Sequence, residues 1–151
     1  MLLVTIEGFN LSSCYIIKEL TIIFQDESYQ HFRFSPPKDF HPTAAQWKTI
    51  NYTQSYLNEL PLSDNALLPY SSINDIIQKL SSSTIFVAGH ITHKVIKEYL
   101  PLSKVINICN EYNFSYPKEL PSTECFSPHR PRYCSLSKAK YINTIIKDLI
   151  E

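Results

Sequence analysis

Two thiols and an imidazole stand within ten positions of one another near the C-terminus, at Cys125, His129 and Cys134, with Pro128 and Pro131 between them. The spacing, three residues and then four, lets short loops close all three donors on a single ion. Thiolate and imidazole together suit Zn²⁺, and a site of this kind is structural. A fourth ligand is needed. Glu124, Cys14, Cys109 or a water are the candidates that the residues themselves offer.

His90 and His93 carry the other chemistry that the chain could perform, since a histidine titrates near neutral pH and acts as general acid or base. With Lys94, Glu98, Arg130 or Arg132 beside it, such a group could activate a ribose 2′-hydroxyl without a metal. Arg130, Arg132, Lys138, Lys140 and Lys147 crowd the region around the Cys/His segment and would give one edge a basic character fit for nucleic-acid phosphates. Tyr112, Phe114, Tyr116 and Tyr133 flank the same segment as candidate stacking platforms.

The 151 residues suffice for one domain with one core, spanning 1–151. Hydrophobic residues make up 44% and charged ones 19%, which fits a globular chain rather than a disordered one. Fourteen basic and fourteen acidic side chains cancel, so overall charge does not call for a nucleic-acid partner. Only Gly8 and Gly89 are glycines, too far apart to build a phosphate-cradling loop. No run of 18 apolar residues and no charged leader before the opening MLLVTIEGFNLSS are present, so the expectation is a soluble intracellular protein with no membrane partner and reduced cysteines.

Elements that could position these residues follow from periodicity. Apolar or β-branched runs at 2–7 and 14–24 predict a hairpin, and Tyr29, His31 and Arg33 alternating with Gln30, Phe32 and Phe34 predict a third strand over 29–34. Residues 43–58 read as a helix or as an ordered loop. Ile73, Ile76, Ile77 and Leu80 predict a helix over 71–82; TIFVAG at 84–89 and KVINI at 104–108 read as strands around a helix at 92–100. Leu136, Ala139, Ile142, Ile145, Ile146 and Leu149 form one stripe of a closing helix at 135–150. The fold class is therefore α/β: three antiparallel strands and then two parallel ones in a mixed sheet with flanking helices, the order of elements of the RNase H-like fold.

Three landmarks are similar to the DEDDh exonucleases, a branch of that fold holding two divalent metals on carboxylates. Thr5-Ile6-Glu7 stands where that family has Asp-x-Glu, Val87-Ala88-Gly89-His90 resembles its Val-Gly-His-Asn segment, and His129 to Cys134 resembles its His-x4-Asp entry to the last helix. Thr5, Lys94 or Val95, and Cys134 replace three of the four carboxylates. Two hard cations about 4 Å apart need oxygen anions, so two-metal exonuclease activity is not expected. The set Glu7, Cys125, His129 and Cys134 resembles instead the Glu-Cys-His-Cys zinc site of the Maelstrom domain, an exonuclease-derived module. The resemblance implies a structural zinc on those four residues and a degenerate domain that binds single-stranded RNA or another nucleic acid. Arg130, Arg132, Lys138 and Lys140 would contact it. A metal-independent endoribonuclease using His90 or His93, or a scaffold for protein partners, are the other readings.

Overall fold

The computed structural model describes residues 1–62, 68–121 and 133–150. Five strands form one mixed sheet: β1 (Leu2–Asn10), β2 (Tyr15–Ile23), β3 (Tyr29–Arg33), β4 (Ile85–Val87) and β5 (Val105–Asn107), in the order β3-β2-β1-β4-β5. β1, β2 and β3 run antiparallel in turn, whereas β4 lies parallel to β1 and β5 parallel to β4. The helices are α1 (Ala44–Tyr52), followed directly by a π-helical turn (Thr53–Leu57), then α2 (Ser72–Gln78), α3 (His90–Tyr99), α4 (Ile108–Glu111) and α5 (Ser135–Ile150).

The α/β class and the mixed sheet agree with the periodicity, and boundaries differ where local chemistry decides them. β1 runs past residue 7 to Asn10 because Gly8 sits in a bulge instead of ending the strand. The stretch 43–58 is helical, opened by a reciprocal cap in which Gln46 N–H donates to Thr43 Oγ1 (3.1 Å) and Thr43 N–H to Gln46 Oε1 (2.9 Å). α3 begins at His90, two residues earlier than periodicity suggests, and the four-residue α4 is too short to leave a periodic trace.

Period-two alternation divides the sheet between two cores. Leu2, Val4, Ile6, Leu20, Ile22, Ile85 and Val87 pack on α2 and α3 through Ile73, Ile77, Val95 and Ile96. The opposite face sends Leu3, Ile23 and Phe86 against Ala139, Ile142 and Ile146 of α5. A third cluster of Phe9, Leu11, Ile16, Ile50 and Leu62 anchors α1 to the far end of the hairpin. No described helix is long and apolar enough to cross a membrane.

The bulge re-aims the end of β1. Glu7 pairs with Glu19, but Gly8 pairs with Ile17, leaving Lys18 as the extra residue on β2. Lys18 is fully buried, and its ammonium donates to the carbonyls of Phe34 (2.7 Å) and Leu62 (3.1 Å). Asn58, just beyond the π-helical turn, donates to Gly8 O at 3.0 Å and accepts from Leu60 N–H at 3.0 Å. The helical layer is thereby fastened to the bulge by hydrogen bonds, and its inner residues face the carboxyl end of β1.

Candidate functional site: a tyrosine-lined cleft over a polar seam

The face beneath α5 is apolar at one end and polar at the other. Thr5 and Glu7 follow Leu3 on β1; Glu19 and Thr21 precede Ile23 on β2; His31 and Arg33 lie opposite them on β3. Glu7 and Glu19 are directly opposed across the pair, which would be repulsive if both carboxylates stood alone. Each instead has a cation of its own. Arg33 Nη2 lies 2.6 Å from Glu19 Oε2, and Lys138 Nζ of α5 lies 2.9 Å from Glu7 Oε2 and 2.7 Å from Ile6 O.

The N-terminus of α5 docks into the same seam. Ser135 N–H donates to Glu19 Oε1 (3.2 Å), Thr5 Oγ1 donates to Ser135 O (2.6 Å), and Thr21 Oγ1 lies 2.8 Å from Ser135 Oγ. His31 joins with Nδ1 2.7 Å from Thr21 Oγ1 and Nε2 3.7 Å from Glu19 Oε2. Ser135, His31 and Glu19 thus include the residue types of a nucleophilic triad, with Ser135 Oγ 3.4 Å from His31 Nδ1. Ser135 and Glu19 are wholly buried, however, and no substrate reaches the hydroxyl. The cluster is an architectural clamp holding the first turn of α5 over β1 and β2.

Beside the seam, at the carboxyl ends of β1 and β4, opens a cleft of about 710 Å³. This is where open α/β sheets place ligands. Glu7 and Lys138 form part of its floor, and Tyr15, Tyr52, Tyr116, Tyr133 and His90 line it. Gly89 turns the chain from β4 into α3 with φ +113°, a conformation that favours glycine, and Asn107 Oδ1 holds the turn by accepting from Gly89 N–H (2.9 Å) and Cys109 N–H (3.1 Å).

Burial raises the Glu7 carboxyl above its ordinary value, and Lys138, through charge and hydrogen bond, offsets only part of that rise. Burial, and then the neighbouring Glu7, pushes the Tyr15 phenol well up. Tyr116 moves up too, through burial and then Cys109 and Glu7. Both phenols are therefore neutral hydrogen-bonding groups at neutral pH.

A pH dependence follows from Glu7. A carboxyl raised in the folded state favours folding below the unfolded value, near the ordinary 4.5, and loses that contribution as pH rises through the folded value. Glu7→Gln should then flatten this fall: melting temperature measured from acid to neutral pH should drop less in the variant than in the parent. Parallel curves would show that Glu7 titrates as it does in the unfolded chain.

The described residues among the predicted site candidates fall in different surroundings. Glu7 and Cys134 are buried, Cys134 immediately before α5 and Glu7 on the strand that α5 covers. Cys125, His129, Arg130 and Arg132 lie outside the described residues. Lys138 faces the cleft with its ammonium on Glu7, whereas Lys140 stacks over the Tyr29 ring, 4.8 Å from its centroid, on β3. His90 is exposed at the lip of the cleft, and His93 is turned away with Nε2 3.3 Å from Val105 O. Among the described residues no three histidine, cysteine or acidic side chains converge as a metal site.

The aromatic candidates separate as well. Phe114 is buried against Tyr141, and Tyr116 packs edge-on against it at 5.1 Å, while Tyr133 lines the cleft. Tyr52 is an exposed ring on the cleft, with exposed Tyr56 against it, and sequence reasoning left both unassigned. Glu19, Arg33 and His31 were also missed. The available signal was Lys18-Glu19 in the middle of YIIKELTII, since charged residues inside an otherwise apolar strand are rare without partners.

No family model, curated protein or solved structure matches the chain.

Proposed function

We propose that the chain is a catalytically degenerate, exonuclease-like domain of the RNase H-like kind, which binds single-stranded nucleic acid, RNA foremost, in the cleft at the end of β1. The observation carrying this reading is the Lys138 ammonium on Glu7 and Ile6 O, at the strand end where a two-metal nuclease needs divalent cations. Arg33 does the same for Glu19. Both carboxylates of the central strands are thus neutralised by fixed cations, and neither is left to recruit hard metal ions. The strand order and the antiparallel-then-parallel pairing support the RNase H-like assignment. A tyrosine-lined cleft suits unstacked bases better than a duplex.

The resemblance to the Maelstrom domain adds a structural zinc on Cys125, His129 and Cys134, with Glu7 as fourth ligand. The donor set fits zinc, and Cys134 lies buried beside the residue that clamps α5 to β1 and β2. When bound, the ion would cross-link the segment before α5 to the sheet and supply folding free energy. Glu7 joins it only by giving up Lys138, so its role as a ligand is separable from that of the thiols. Elemental analysis of protein purified without a metal-affinity tag should give one equivalent of zinc in the parent and a loss on Cys134→Ala. Zinc retained in Glu7→Ala would assign the fourth position elsewhere; a metal-free parent would remove the zinc from the reading.

Binding itself is tested by titrating labelled single-stranded RNA with the protein in chelator-free buffer without added Mg²⁺ or Mn²⁺. Saturable, salt-sensitive binding is expected; its absence at low salt would leave a scaffold for protein partners as the better account.

A further inference from the structure

Two clefts meet across Tyr15 and His90. The tyrosine-lined cleft of about 710 Å³ shares Asn10, Tyr15, His90 and Ile91 with a second one of about 480 Å³. The second lies between the β1–β2 turn, at Ser12, Ser13 and Cys14, and the side of α3 that carries Lys94 and Glu98. Their linings differ in kind: rings and aliphatic groups dominate the first, hydroxyls and charged groups the second.

Tyr52 lines the wall of the first cleft formed by α1 and the π-helical turn, and Tyr56 adjoins it outside the lining; the two are 57% and 61% exposed. Their centroids are 5.2 Å apart with planes at 43°. Two adjoining tyrosines with this much exposed surface present sequence-tolerant π-faces, and π-helical turns recur at functional sites. Ile91, 42% exposed, stands on the opposite lip. Across the shared residues, Lys94 is an exposed cation in the polar cleft, and Glu98 one turn farther along α3 confines any anion to the Lys94 end.

We infer that the joined clefts are one track for a short single-stranded nucleic acid, with a base stacked on the Tyr52–Tyr56 lip and the sugar-phosphate chain crossing His90 and Lys94 toward the β1–β2 turn. This deepens the proposed function and rests on it. The track assigns specificity for unpaired strands to Tyr52 and Tyr56, and salt dependence to Lys94. It places neither role on Lys140, which is engaged with Tyr29 on the opposite part of the sheet.

The test is fluorescence anisotropy of a short labelled oligouridine and of its DNA counterpart across a salt series. Tyr52→Ala should weaken binding about tenfold, while Tyr52→Phe, which keeps the ring, should stay within about twofold of the parent. Lys94→Glu should weaken binding and lower the slope of log K against log salt by about 0.7, the loss of one phosphate contact on a single strand. Both positions are solvent-facing, so unchanged melting curves of all three variants accompany the expected result. RNA or DNA binding through these residues supports the track, and the tighter of the two identifies the sugar it favours. A parent that binds, with Tyr52→Ala and Lys94→Glu binding equally well, overturns the track and leaves the nucleic-acid reading standing. A parent that binds neither oligonucleotide overturns both.

Discussion

Glu19→Ala should destabilise the domain by about 3–5 kcal/mol, the usual consequence of removing one member of a buried ion pair. Glu19 is wholly buried and serves three groups at once: the Arg33 guanidinium at 2.6 Å, the Ser135 N–H at 3.2 Å and the His31 ring at 3.7 Å. Its loss deprives the buried Arg33 guanidinium of its carboxylate and leaves an N–H at the first turn of α5 without its acceptor. Since a domain of this size has roughly 5–15 kcal/mol in hand, the variant should melt far below the parent and lose much of its soluble yield. Glu19→Leu combined with Arg33→Met removes both charges and should recover part of the loss, short of the parent because Ser135 N–H still lacks its acceptor. Chemical denaturation of the three proteins checks this. A Glu19→Ala midpoint within error of the parent would mean that α5 is held by its apolar stripe alone.

Gly8→Ala is expected to have an effect of similar size for a different reason. A Cβ at position 8 would stand 1.9 Å from the Ile16 carbonyl oxygen and 3.0 Å from Lys18 N, both backbone atoms of the paired strand. A flexible side chain could swing aside, but here the hairpin itself must open. Overpacking against a yielding core costs about 1–3 kcal/mol; with backbone as the obstacle the cost should lie at or above the top of that range. The damage would extend to what the bulge positions: the Asn58 bond to Gly8 O, the Lys18 bonds to Phe34 and Leu62, and the orientation of Glu7 toward Lys138. Hydrogen exchange should show β1 and β2 losing protection beyond Glu7 while α2 and α3 change less. Uniform loss, or none, would show that the bulge is not what fixes the end of β1.

Much of the fold was readable because neighbouring residues carry it. The alternation over Tyr29–Arg33 puts His31 and Arg33 on one face, and the stripe of α5 buries Leu136, Ala139, Ile142 and Ile146. The π-helical turn leaves no such trace, since it breaks the 3.6-residue period that distinguishes helix from loop, so 43–58 stayed ambiguous. The start of α3 was hidden because it is set by Gly89 at positive φ, with no Ser, Thr, Asp or Asn cap.

The polar seam was less legible than the fold. The bonds that tie α5 into it join residues more than a hundred positions apart: Glu19 to Ser135, Thr21 to Ser135, Glu7 to Lys138. Lys138 looked like one of several cations on a basic edge, and nothing local marks it as the partner of Glu7. Of the rings that flank the cysteines in sequence, Phe114 fills the core beneath α5, whereas Tyr112 is exposed and Tyr133 lines the cleft. Tyr52 and Tyr56 became candidates only once α1 and the π-helical turn were seen beside the end of β1.

The measurement that bears most directly on the account is electrophoresis of end-labelled single-stranded RNA incubated with the purified protein and Mn²⁺. If Lys138 and Arg33 hold the two carboxylates in place of metal ions, the RNA should migrate as a retarded complex and be recovered at full length after the protein is removed. Shortened RNA, produced by the parent and abolished in Glu7→Ala, would show that these carboxylates still recruit divalent cations and would contradict the account.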